Sequence, residues 1–357
     1  MLKLSHSAVS RYQTCPKSYK YHYIDKLRPK FTSSALLFGS ALDHAINALL
    51  KDEGKDPKEV FDYNWRFAFI NKNKEYLPKC RKVVYSQKEF DGELLLQEDL
   101  IELNQLCNPI APLEHYKVLS NKRSAIGFNL LTAEEKEFYN FANWLCLRRK
   151  GHVMINSYKK EIHHLIKRVI SVQEYIEIEN EVGDKVIGYV DLVAELQDGR
   201  VVIFDLKTSS IDYEEDAVLT SPQLTLYVFC IGEKYNTRKA GYIVLKKQIK
   251  KNKIKICSSC SFDGTGSRHK TCNNEIAGKR CGADWNETIR PTADVQLIVD
   301  EVPQQAEDLV MENFNFIRHG IQHNMFHRNL NSCMQAWGPC PYRDLCWKNI
   351  KTDLVQE

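Results

Sequence analysis

Residues 187–210 read IGYVDLVAELQDGRVVIFDLKTSS, and after an acidic loop residues 221–227 read SPQLTLY. Two short apolar runs rich in β-branched residues, Val186 to Leu196 and Val201 to Leu206, meet at Gln197-Asp198-Gly199. An Asp-Gly pair between such runs predicts a β-hairpin with a tight turn. Each run carries an acid where a core strand would take another aliphatic residue, Asp191 in the first and Asp205 in the second. A carboxylate in an apolar strand is strongly destabilising without a compensating partner, so two on neighbouring strands point to a shared cation. Lys207 falls on the same strand face as Asp205, because strand side chains repeat with period two. Ser221-Pro222 reads as a helix cap and first helical residue, which sets Gln223 and Tyr227 four apart on one helical face. The plain alternative for that pair is a surface glutamine beside a buried tyrosine.

Upstream, a strand is expected from Val172 to Glu181, with Glu177, Glu179 and Glu181 on one face. The segment Ser34 to Leu50, SALLFGSALDHAINALL, has helical periodicity. Within it Gly39 permits the close approach of another backbone, and Asp43 and His44 bring two potential metal ligands onto an apolar helix. At the start of the chain Ser7 is expected to cap a short helix, and Pro16, after Cys15, to open the next. Here Arg11, Lys17 and Lys20 interleave with Tyr12, Tyr19, Tyr21 and Tyr23. Two readings stand: cations for phosphates with tyrosines for unpaired bases, or an amphipathic helix with its tyrosines packed inward. Residues 56–170 read as a helix-rich insertion or cover without chemistry, and Cys80, Cys107 and Cys146 as isolated structural thiols. One helix there should open at the capping box Thr132–Glu135 and end near Arg149, before Gly151.

At 357 residues the chain can bury a sizeable core, as one large domain with insertions or as two moderate ones. No early apolar run is long enough for a signal peptide or a membrane span, so a soluble cytoplasmic protein without membrane contact is expected. Seven of the twelve cysteines lie from Cys257 onward, which in a reducing compartment favours metal or cluster ligation over disulfides. The net charge of +4 is uneven: residues 234–280 hold thirteen Lys or Arg against two acids, or +11, leaving −7 for the remainder. That block, with Lys246, Lys247, Lys250, Lys251, Arg268 and Lys270, matches the footprint of a polyanion partner, against the plainer reading of a solvated lysine-rich loop. It follows an expected strand from Ala240 to Leu245. Inside it Cys257, Cys260, Cys272 and Cys281 have the spacing of a closed, structural zinc site, which a Gly-rich module with almost no aliphatic core needs in order to fold. A last helix is expected from Pro303 to about His323. Beyond it, Cys333, Cys340 and Cys346 are one ligand short of a closed site, and Cys15 is the natural fourth.

Taken together, Gly188 to Asp191, Asp205-Leu206-Lys207, Gln223 to Tyr227, the Cys15-Pro16 pair, GSALDH on a helix and the C-terminal cysteines resemble the RecB-type nucleases of the PD-(D/E)XK superfamily. The order of motifs is similar to that of members carrying a four-cysteine iron–sulfur cluster, such as AddB-like and CRISPR-associated exonucleases and their phage relatives. The resemblance covers roughly residues 5–50 and 172–347. It implies an α/β fold with a restriction-endonuclease-like mixed central sheet flanked by helices, here with a helical insertion and a small zinc-ribbon insertion. The division that follows is 1–55 for the N-terminal helical part, 56–170 for the insertion, 171–250 for the core sheet, 251–286 for the zinc module and 287–357 for the closing helix and cysteines. The resemblance further implies Mg²⁺ or Mn²⁺ bound by Asp191, Asp205 and the carbonyl of Leu206. Lys207 would position or activate the attacking water, and Gln223 and Tyr227, as a QxxxY motif, would contact DNA near the scissile phosphate.

Two departures stand out. The usual GxxxH pattern, counted from Gly39, puts Asp43 where the histidine belongs, so Asp43 and His44 both remain ligand candidates. Six residues separate Cys333 from Cys340, more than is common, so a 4Fe-4S cluster and a second zinc both remain open at Cys15, Cys333, Cys340 and Cys346. The implied activity is a metal-dependent DNA exonuclease acting on ends or single strands in recombination, repair or phage replication, in the host cytoplasm if of phage origin. The alternative is a DNA-binding recombination subunit that kept the fold without the chemistry.

Overall fold

The computed structural model describes residues 2–66, 132–179, 183–335 and 338–356, with short pieces at 82–84, 94–95, 98–99 and 101. The chain opens with β1 (Lys3–Ser5), α1 (His6–Thr14), α2 (Pro16–Tyr19), α3 (Ser34–Lys51) and α4 (Pro57–Trp65). Then come α5 (Ala133–Glu161), β2 (Ile166–Glu179), β3 (Lys185–Leu196), β4 (Val201–Ser209), α6 (Pro222–Tyr235) and β5 (Lys239–Cys257). The last large elements are β6 (Trp285–Glu301), α7 (Gln304–Gln322) and α8 (Arg343–Lys348).

The hairpin that the sequence predicts is β3–β4, antiparallel, with Gly199 at φ +85° supplying the left-handed residue its turn requires. The central sheet is mixed, in the order β1-β3-β4-β5-β6, with β2 paired to β3. β2 runs along β3 from Lys185 to Leu196 and so occupies one entire edge of that strand. The other edge is shared: β1 pairs in parallel with Lys185 to Ile187, and β4 pairs with Leu192 to Glu195. Between these two, Gly188 to Asp191 face a fork in the sheet.

Helices cover both faces. α3, α4 and α5 bury Phe38, Trp65, Tyr158 and Phe204 on one side, and α6 packs Leu224, Tyr227 and Val228 on the other. A third apolar cluster joins α1 to α7 through Val9, Tyr12, Phe314 and Ile317, so the two ends of the chain meet beside the sheet.

Several boundaries differ from expectation. Ser5, not Ser7, caps α1, because its side chain is the one that accepts the Ala8 N–H, at 3.2 Å. α5 runs through Gly151 to Glu161; the glycine is needed inside the helix because a Cβ there would collide with the Phe61 ring of α4. A Cβ at Gly39, by contrast, would meet only Thr208 Oγ1, at an ordinary 3.5 Å, so close backbone approach does not explain that residue. β5 does not stop at Leu245. Its pairing with β4 ends at Lys246, while its pairing with β6 continues to Cys257, so the lysines of the basic block from Lys239 to Lys255 lie in strand rather than loop. Beyond Ile249 and Ala293, where α5 still touches the pair, Lys250 to Cys257 and its partner strand form a two-stranded arm about 25 Å long. Cys146 is fully buried among apolar residues, as expected of a structural thiol; Cys80, Cys107 and Glu181 lie outside the described residues. Among the described residues no helix is long and apolar enough to cross a membrane.

Candidate active site

The fork between β1 and β4 is where the acidic residues gather. β4 leaves β3 after Phe204, and the Asp191 carboxylate takes over the pairing, its Oδ2 accepting the Leu206 N–H at 2.9 Å. Its Oδ1 accepts from Gln173 Nε2 at 3.0 Å. Gln173 stands at φ +55°, at the point where β2 switches the face to which it directs its side chains. Asp205 is 1% exposed and ion-paired, with Lys207 Nζ 2.5 Å from its Oδ2.

From α6, where Ser221 caps the first turn and Pro222 follows as the sequence predicts, Gln223 reaches back to the strands. Its Nε2 donates to Asp205 Oδ1 at 2.8 Å and to the Tyr227 hydroxyl at 2.7 Å, and its Oε1 accepts from Lys207 Nζ at 3.0 Å. Gln223 is therefore no idle surface residue: one amide ties two β4 side chains to the helix. Tyr227 is buried, and burial together with the nearby Asp205 raises its phenol pKa.

α3 contributes Asp43, which shares a small pocket with Gly39, Leu206, Lys207 and Thr208. His44 points away: it is exposed, and its Nδ1 pairs with the Ser40 carbonyl 2.7 Å distant. Of the two candidates on this helix, only Asp43 lies among the carboxylates.

Electrostatics agree with a place for a cation. Burial, followed by the neighbouring Asp191, pushes the Asp43 carboxyl up to about 6. Burial, offset in part by Lys207 and reinforced by Asp191, pushes Asp205 to about 7. Burial pulls Lys207 down, but Asp205 and Asp191 outweigh it and hold the ammonium above its ordinary value. Asp191 lies close enough to Asp43 and Asp205 to raise the carboxyl pKa of each, and together the three form an all-oxygen set that suits Mg²⁺ or Mn²⁺.

Two residues of this constellation escaped the sequence reading. Gln173 carries no signal in a strand. His6, at the start of α1, lies near enough to Lys207 that the ammonium, after burial, lowers its pKa. Its signal is only that the β1–α1 junction forms the other lip of the fork.

At the tip of the arm the Sγ atoms of Cys257, Cys260, Cys272 and Cys281 lie within 4.8 Å of one another, a group that could hold a metal ion and is compatible with a zinc-ribbon insertion. Cys257 and Cys281 stand 3.6 Å apart, and Cys260 and Cys272 3.7 Å. The backbone N–H groups of Ser259 and Cys260 both donate to Cys257 Sγ at 3.4 Å. Cys15, Cys333, Cys340 and Cys346 also come together. Burial first, then the other three thiols, raise the pKa of Cys340. They are not packed as tightly, since among the described residues only the arm group falls within that 4.8 Å limit.

The proposed nucleic-acid residues divide. Tyr12 and Tyr19 are core residues at 5% and 3% exposure, so the inward-packed reading holds for them. Lys20 is paired with Asp25 at 2.7 Å, Lys17 lies over the Tyr21 ring, and Arg11 donates to Ser18. Lys246 is buried, bonded to the Ile211 carbonyl and to Asp212 at 2.9 Å, and so cannot reach a polyanion as the charge count implied. Lys247 lies near the Phe38 ring, and Lys250 pairs with Asp294 on the arm's exposed surface. Arg268 and Lys270 are exposed at its tip.

A search of curated proteins finds no match to this chain. A family model described as the PD-(D/E)XK nuclease superfamily matches residues 3–93 and 121–347, spanning the fork, its carboxylates and the arm. With the mixed sheet and flanking helices already in place around that fork, the chain belongs to the PD-(D/E)XK nuclease superfamily.

Proposed function

We propose that this protein is a Mg²⁺- or Mn²⁺-dependent DNA exonuclease of the RecB type, acting on ends or single strands in recombination, repair or phage replication. The observation that carries this reading is the bonded chain Asp205–Gln223–Lys207, with Asp191 and Asp43 beside it. Asp43, Asp191, Asp205 and the Leu206 carbonyl would hold the ion. When bound, it supplies positive charge toward the scissile phosphate and the attacking water. Lys207 keeps its proton, held up by two carboxylates, and so acts as a fixed ammonium that orients water and favours its deprotonated form. Gln223 sets that ammonium by accepting from it while donating to Asp205. Tyr227, protonated throughout the neutral range, anchors the glutamine and offers a hydroxyl toward the DNA.

The arm cysteines fit structural zinc: a tetrahedron with Zn–S bonds near 2.3 Å has sulfur–sulfur edges of about 3.8 Å, close to the spacings present. Four sulfur ligands leave no open position, so this ion would stabilise the arm without entering the chemistry. The looser set, Cys15, Cys333, Cys340 and Cys346, suits a 4Fe-4S cluster better than a single ion, because a polynuclear centre holds its thiolates farther apart. N–H donors point at two of these sulfurs, from Asn329 to Cys15 and from Trp347 to Cys333, each at 3.5 Å. Such bonds are the usual environment of cluster thiolates.

The decisive experiment is degradation of linear DNA labelled at either end. Mg²⁺- or Mn²⁺-dependent loss of label is expected, abolished in Asp205→Ala and Lys207→Ala with the fold intact. Activity persisting in both variants would overturn the site, and a wild-type protein that binds but never cuts would be the silent subunit. Anaerobically purified protein should be brown; a colourless protein containing only zinc would rule out the cluster.

A further inference from the structure

Beside the fork stand two rings to which the chemistry above gives no task. Tyr175 and Tyr189 are directly opposed across β2 and β3, with ring centroids 5.3 Å apart and planes inclined at 56°. They are 48% and 58% exposed. Their sheet-surface neighbours Glu177, Glu179 and Lys185 are charged and paired with one another, as a solvated face would require. Two large rings at the same level are a departure from that pattern.

Their position ties them to the carboxylates. Gly188 and Val190 face the α6-side cluster, so strand alternation turns Tyr189 toward the α3 side, while Leu192 is buried in the α3-side cluster and the alternation breaks at Asp191. Two residues along a strand is about 7 Å, so Tyr189 and Asp191 leave β3 one short step apart along the backbone. The Tyr175 hydroxyl donates to Glu177 Oε2 at 2.7 Å, which tethers the phenol tip and leaves the ring face open.

We propose that Tyr175 and Tyr189 form a stacking platform for an unpaired base next to the scissile phosphate, making a single-stranded or frayed end the preferred substrate. The proposal rests on the nuclease reading and narrows its substrate. Every base has a π-face, so such a platform tolerates sequence. A base inside a duplex is already stacked on both sides and offers no face to it. The ordinary alternative is a cross-strand aromatic pair that only stabilises the sheet.

The test uses short single strands carrying 2-aminopurine at successive positions from the end, bound to the whole protein in calcium buffer so that no turnover occurs. Probe emission should drop at one position in the wild type and in Tyr175→Phe/Tyr189→Phe. It should not drop in Tyr175→Ala/Tyr189→Ala. With Mg²⁺, the alanine pair should raise KM for single strands by roughly 5- to 100-fold, with kcat little changed and duplex cleavage less affected. Unchanged quenching and KM in the alanine pair would overturn the platform. So would a fall in unfolding temperature unaccompanied by any change in quenching, which marks a purely structural role. If the double variant does not fold, Tyr189→Ala alone is read the same way. Failure of the nuclease reading appears separately, as a wild type that cuts nothing with Mg²⁺ or Mn²⁺ while the quenching at one position persists.

Discussion

Asp205 is where function and stability pull against each other most directly. Its carboxyl, held at about 7, and that of Asp43, held at about 6, both lie above the ordinary 3.8. A raised folded pKa means that these groups stabilise the fold fully below the ordinary value and lose that contribution as pH rises through about 6 and 7. Each tenfold change in proton affinity on folding corresponds to about 1.4 kcal/mol, so the metal-free protein at pH 8 should carry a burden of a few kcal/mol at Asp205. Asp205→Asn should therefore unfold at higher temperature than the wild type at pH 8 without divalent ions, the gap closing toward pH 5, while nuclease activity vanishes. Burial is the larger influence and Lys207 the smaller; a lower unfolding temperature for the variant at pH 8 would reverse that order. On α3, Asp43→Ala should reduce activity at least about tenfold if Asp43 is the proposed metal ligand, whereas His44→Ala should leave it near wild type. Equal losses from both would return His44 to the site. Asp191, Asp205 and Lys207 were legible in the sequence because a strand repeats every second residue and their charges break an apolar pattern. The choice between Asp43 and His44 was not, since adjacent helical residues differ by a rotation that only the packing of α3 on the sheet defines. Gln173 and His6 were not legible either, being brought to the fork by pairing across residues far apart in sequence.

At the level of elements, the hairpin β3–β4 and the cap of α6 followed from local signals, a turn at Asp198-Gly199 and a Ser-Pro start. The fork did not, because nothing in β3 itself says that two strands will share one of its edges. The arm was misread for a related reason: lysines are depleted in strands on average, and only pairing with β6 keeps Lys250 to Cys257 extended. Alternation along this arm puts Lys251, Lys253 and Lys255 on one face, opposite Pro291, Ile289 and Glu287 on the partner strand. A row of cations on a strand pair fits a phosphate backbone better than a diffuse charged loop does. The triple variant Lys251→Gln/Lys253→Gln/Lys255→Gln should bind DNA more weakly at low salt. Its log–log salt slope should be shallower by about 2, given roughly 0.7 to 0.9 per phosphate contact. Cleavage of a saturating substrate should be unaffected. An unchanged slope would make the arm and its cysteines a structural or protein-binding element.

For the molecule as a whole, the question is what joins its ends. Cys15 and Cys346 are separated by more than three hundred residues, and a permanent crosslink closing such a loop would be worth roughly 5–6 kcal/mol in the chain-entropy model. That figure applies only if the link survives unfolding. A metal centre is released when its ligands disperse, so its contribution is its own binding free energy to the folded site. The fold also has a second joint: α1 and α7 share an apolar cluster, and the Tyr12 hydroxyl donates to the Met325 carbonyl at 2.7 Å, independently of any thiol. On the proposed cluster reading the cysteines would instead fasten the short segment after α7, where the apolar core is small: Leu27, Tyr342, Leu345 and Leu354. Cys15→Ser should therefore leave the sheet and the α1–α7 joint folded but release the segment from about residue 327 onward. Limited proteolysis should cut the variant there rapidly, while the fragment containing the fork resists digestion. Cooperative loss of the whole protein to protease would mean that the cysteines hold the nuclease core itself. Wild-type rates of cutting throughout would mean that Cys15 is not one of the ligands.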